Sequence, residues 1–178
     1  MELSRILPAT LLALALGAAA HAGQKPRSAA KPTPTPAATP KAEEPPIFDP
    51  EADGYLVLKH YREVCEKSNK RLLVFFGTND SRTCRVVNQA IFERRFYSEL
   101  IKQFVPAFID VTPGTANSGL PEQYGIDPMA PLPGVVLFDP KHTVLEVLKK
   151  GEMAEIAKKG KDEVQLWVLA RFYRSKPD

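Results

Sequence analysis

Leu72-Leu73-Val74-Phe75-Phe76 is the stretch that most restricts how this chain can fold. Five consecutive large apolar residues leave no face for water, so the run reads as a strand buried on both sides. Gly77-Thr78-Asn79-Asp80 breaks it, and Asp80 or Ser81 can cap the helix that follows. Ser81-Arg82-Thr83-Cys84 then places a hydroxyl and a thiol in one first helical turn. A strand with two apolar faces needs cover on both, which predicts a layered α/β architecture.

The rest of the chain supplies that cover. Asp53 to Ser68 has helical spacing, with Val57, Leu58, Tyr61, Val64 and Cys65 on one stripe. From Arg82 to about Phe104 the pattern is helical, with a break expected near Phe92-Glu93-Arg94-Arg95. Val105 to Val111 reads as a second strand. A Gly/Thr/Asn/Ser loop at 114–119 and a short helix around Leu120 to Tyr124 follow. Val135 to Phe138 and Thr143 to Leu148 form a hairpin about Asp139-Pro140-Lys141-His142, and a last helix runs from about Lys161 to Tyr173. This order predicts a mixed sheet of four or slightly more strands, with Leu72–Phe76 central. The expected core includes Val74, Phe76, Val87, Ile91, Phe108, Ile109, Val136, Phe138, Val164 and Trp167.

Of the 178 residues, 1–22 read as an export signal: Arg5, an apolar run from Leu11 to Ala20, and Ala20-His21-Ala22 as the cleavage site. The run falls short of the ~20 residues a membrane span needs, so no stable membrane anchor is expected after cleavage. Residues 23–46 are rich in Ala, Pro, Lys and Thr and read as a disordered linker, leaving 47–178 as one folded domain. Export implies a periplasmic or extracellular protein. A net charge of +3, mixed along the chain, gives no basis for binding nucleic acid. The three histidines lack partners at ligand spacing, so no metal and no cofactor are expected. The two cysteines, Cys65 and Cys84, would meet an oxidising compartment. They lie toward opposite ends of the first strand, five residues of ~3.3 Å apart, so a bridge between them is not expected.

Several motifs together resemble the thioredoxin superfamily, and most closely its exported thioredoxin-like members. They are Phe75-Phe76-Gly77 before the site, Phe104-Val105 leading to Asp110-Val111, Tyr124-Gly125-Ile126, Leu132-Pro133-Gly134-Val135-Val136-Leu137-Phe138-Asp139, and Gly151-Glu152-Met153. The resemblance covers about 53–173 and implies the three-layer α/β/α fold with a central mixed sheet. It implies a cis-proline at Pro133, facing the site loop. It also implies a Cys-x-x-Cys redox site, and there the sequence departs. Asp80 stands where the family has tryptophan, and Ser81 where it has the nucleophilic cysteine; Cys84 keeps the second cysteine's place.

Disulfide exchange needs a thiolate at a reachable sulfur. A serine hydroxyl is not appreciably ionised without an adjacent base, and no histidine lies near Ser81 in sequence. Dithiol cycling within this loop is therefore excluded, and Ser81 reads as a helix cap. Cys84 has two readings. It is an inert small apolar residue, or a reactive thiol favoured by the helix N-terminus, Arg82 and Arg85 and opposed by Asp80. Two functions follow. The first is a module binding an unknown protein or peptide partner in a groove of Asp80, Ser81, Leu132, Pro133 and Gly134, with little oxidoreductase activity. The second is a monothiol oxidoreductase or weak thiol peroxidase using Cys84, although lengths and flanking residues do not resemble the thiol peroxidases well.

Overall fold

The computed structural model describes residues 46–174. The expected export signal (1–22) and all but the last residue of the expected linker (23–46) lie outside the described residues, as do residues 175–178. Five helices, α1 (Gly54–Ser68), α2 (Arg82–Ile91), α3 (Arg94–Leu100), α4 (Glu152–Ala157) and α5 (Lys161–Phe172), accompany four strands. These are β1 (Arg71–Gly77), β2 (Phe104–Asp110), β3 (Gly134–Phe138) and β4 (Val144–Leu148). A 3-10 turn spans Pro121–Tyr124. The strands form one mixed sheet in the order β2-β1-β3-β4, and β1 pairs parallel to β2 and antiparallel to β3. The fold is the thioredoxin-like α/β arrangement.

The apolar run explains the layers. Strand side chains alternate between faces, so Leu73 and Phe75 enter one core while Leu72, Val74 and Phe76 enter the other. The first core takes Val87, Ala90 and Ile91 of α2, Met153 and Ala157 of α4, and Val164, Val168 and Phe172 of α5. The second takes Leu58 and Cys65 of α1 with Ile109, Val136 and Phe138. Eight of the ten expected core residues are buried; Phe108 and Trp167 are half-buried instead. Phe108 lies on edge strand β2 and still stacks on Phe75 at 4.8 Å.

Caps set the helix boundaries. Asp53 accepts hydrogen bonds from the N–H of Tyr55 and Leu56 at the start of α1. The expected break falls at Phe92-Glu93, where the Glu93 carboxylate accepts from Phe96 N–H at 2.9 Å and starts α3. The helical stretch ends at Leu100 rather than Phe104, because Phe104 opens β2 opposite Arg71. The Gly151-Glu152-Met153 segment opens α4, a helix that the sequence pattern did not predict. Pro106 lies midway along β2, opposite Leu73.

Candidate functional site

The pairing register puts Gly77, Asp110 and Gly134 at one end of the sheet, where β1 and β2 finish and β3 begins. The Ser81 loop, the 111–120 loop and the Leu132–Pro133 segment therefore meet there. The Leu132–Pro133 bond is cis, as the family resemblance implied.

Ser81 caps α2, its hydroxyl oxygen accepting from Cys84 N–H at 3.3 Å. It also lies 2.9 Å from the Thr83 hydroxyl, which donates to the Leu132 carbonyl at 2.5 Å. A carbonyl can only accept, so the one Thr83 proton is committed to Leu132. Ser81 must then donate to Thr83. The chain Cys84 N–H to Ser81 to Thr83 to Leu132 ties the helix start to the cis-proline segment. The Leu132 N–H makes no hydrogen bond among the described residues.

Cys84 is 1% exposed. Gly77 makes room for it: a Cβ there would overlap Phe48 Cζ and stand 2.7 Å from Cys84 Sγ. Burial pushes the Cys84 thiol above its ordinary value, and the Asp110 carboxylate pushes the same way. The Ser81 side chain and the Thr78 and Cys84 backbone oppose the rise without cancelling it. Arg82 and Arg85, which favour a thiolate in the reactive reading of Cys84, are both exposed, and desolvation is the largest influence on the thiol. The carboxylate that acts on Cys84 is Asp110, not the exposed Asp80. Asp110 is 1% exposed, accepts from Thr112 N–H at 2.9 Å through Oδ1, and has no hydrogen-bond partner for Oδ2 among the described residues. Both cysteines are free, and burial pushes the Cys65 thiol up to about 11 despite Lys70.

The remaining groove residues divide. Ser81 and Leu132 are half-exposed and Asp80 is exposed, but Pro133 and Gly134 are buried. Gly134 faces Ile126, whose side-chain carbons would lie 3.1 Å from a Cβ, so it belongs to the packing beneath the groove and not to its surface. Thr83 and Asp110 escaped the sequence reading as site residues. A charged residue closing an apolar strand was the available signal for Asp110; Thr83 offered none. Among the described residues no group of His, Cys, Asp and Glu could hold a metal ion, and no helix is long and apolar enough to cross a membrane.

A raised thiol value means that Cys84 stays neutral to higher pH than a free cysteine. Alkylation of the native protein is expected to be slow at pH 7 and to accelerate only above 9.0, the ordinary thiol value. Asp110→Asn removes the repelling charge and should move that acceleration to lower pH. Mass-spectrometric labelling against pH checks both; labelling of native Cys84 at pH 7 as fast as a free cysteine would contradict the burial.

Fold and site together define a thioredoxin-like domain, and residues 58–140 match a protein-family model described as thioredoxin-like. The chain is also similar to the crystal structure of a disulphide isomerase from Xylella fastidiosa Temecula1, at 25% identity and a TM-score of 0.65. That match covers 72% of this chain and 97% of the isomerase chain. No curated protein matches.

Proposed function

We propose that this is an exported thioredoxin-fold protein that binds an extended peptide or protein segment and has little dithiol oxidoreductase activity. One observation carries the reading: Ser81, where the resemblance implies an attacking cysteine, is a helix cap, and the nearby Cys84 thiol is 1% exposed with its ionisation disfavoured by burial. The half-exposed Leu132 remains beside it, with its N–H available for main-chain pairing. Pairing of this kind needs backbone groups and apolar cover, and no sulfur. The Ala20-His21-Ala22 motif supports export. The likeness to a disulphide isomerase and the unpartnered Asp110 oxygen beside Cys84 favour a second reading, a monothiol oxidoreductase or weak thiol peroxidase.

Thr83 makes the first reading specific, because its hydroxyl occupies the Leu132 carbonyl that an incoming strand would use. Thr83→Val frees that carbonyl. It should tighten binding of an extended peptide about two- to tenfold, the worth of one added net hydrogen bond. Peptide anisotropy and turnover of a model disulfide, measured on wild type, Thr83→Val and Cys84→Ser, separate the readings. Peptide binding that persists in Cys84→Ser supports the module. Robust wild-type turnover that vanishes in Cys84→Ser moves the assignment to the monothiol enzyme.

A further inference from the structure

A cavity of about 410 Å³ opens beside Leu132, at the same end of the sheet as the Ser81 loop. Val111, Pro113, Ile126 and Leu132 give it apolar walls. Among the described residues that line it, two carry charge, and both are acidic: Glu122 and Asp127. Glu122 forms no ion pair among the described residues. Asp127 uses Oδ1 to accept from Met129 N–H at 2.8 Å, which leaves Oδ2 without a hydrogen bond there. Lys149 Nζ comes near Gly125 but does not line the cavity.

We propose that this cavity receives the side chain of a lysine or arginine carried by an extended peptide lying along the Leu132 segment. The proposal rests on the peptide-binding reading above and names the class of peptide. The argument is one of matched chemistry. Long basic side chains combine an apolar stem with a charged head, and they lay the stem on apolar surface while the head seeks a counter-charge. Here apolar walls and the exposed acidic groups Glu122 and Asp127 share one cavity, whereas an acidic side chain would meet two like charges and a purely apolar one would gain nothing from them. A second observation is independent of the charges. Met129, between the lining residues Pro128 and Ala130, is 87% exposed. A flexible thioether held in solvent has no packing role in this domain, and such side chains suit surfaces that adapt to peptides.

The test uses the full chain and capped decapeptides identical except at one position, which is lysine, arginine, norleucine or glutamate. Norleucine keeps the stem and removes the charge. Lysine and arginine peptides should bind about three- to tenfold tighter than norleucine, with glutamate weakest, as expected for one or two partly exposed ion pairs. The preference should shrink as salt rises. Glu122→Gln combined with Asp127→Asn should abolish it and leave norleucine binding within about twofold of wild type. Asparagine keeps the Oδ1 acceptor for Met129, so the loop retains its turn. Norleucine binding as tightly as lysine, or a lysine preference unchanged in the double variant, would overturn the proposal while leaving peptide binding intact. Failure of every decapeptide to bind, in wild type and Thr83→Val alike, would remove the peptide reading and this proposal with it.

Discussion

Ser81→Cys is expected to turn a loop with one thiol into one that cycles as a dithiol. Ser81 sits at the cap of α2, three residues before Cys84, and its oxygen already contacts the Cys84 N–H at 3.3 Å. Neighbouring positions in one helical turn lie within the separation a disulfide spans. The new sulfur would be half-exposed where Cys84 is buried, and the helix N-terminus would favour its thiolate. It can attack a substrate disulfide, and Cys84 can then resolve the mixed disulfide from within the same turn. Loss of an attacking nucleophile costs enzymes several orders of magnitude in rate. Restoring one here should raise model-disulfide reduction by on the order of 10²-fold or more, with less than the full gain because Cys84 resists ionisation. Thiol counting after mild oxidation gives the structural readout. Two titratable thiols at positions 81 and 84 after oxidation would mean that the loop cannot close the bridge.

Phe48→Ala should produce the largest loss of stability. Phe48 is 1% exposed, packs edge-on against Phe108 at 5.7 Å, and fills the space over Gly77. Asn79 holds it in place, accepting from the N–H of Ile47 and Phe48 and donating to the Phe48 carbonyl. Truncating a buried phenylalanine costs about 3–5 kcal/mol. Asn79→Ala strands these backbone groups and should cost about 1–3 kcal/mol. Urea titration measures both. A chain beginning at Pro46 should keep wild-type stability, and one beginning at Pro50 should behave like Phe48→Ala. Because Phe48 and Cys84 meet across Gly77, Phe48→Ala should also speed Cys84 labelling at a given pH. Unchanged labelling in a folded Phe48→Ala protein would show that other residues alone seal the thiol.

The strands were legible because their information is local. Leu72 to Phe76 is apolar without interruption, and only a central strand accommodates that in a segment so short. The cap at Ser81 was legible for the same reason, since it acts on a residue three positions away. Contacts that span the chain were not. Thr83 bonds Leu132 across 49 positions, and Asn79 clamps Phe48 across 31, with no periodicity to mark either. The state of Cys84 depends on Gly77, Phe48 and Asp110, which surround it only once the sheet has formed. Arg82 and Arg85, its sequence neighbours, point to the opposite ionisation. Helix α4 escaped because six residues are too few to show a period.

The proline midway along β2 has a consequence for how the domain behaves in company. An edge strand offers a row of backbone groups on which another sheet can grow. Proline is tolerated in such a strand with its nitrogen turned away from the neighbouring strand. Pro106 therefore leaves a gap in the donors facing outward from β2. A second chain trying to extend the ladder along this edge would lose a rung at its centre. Growth of the sheet is therefore disfavoured on the β2 side, and β4 is left as the edge with a full set of donors.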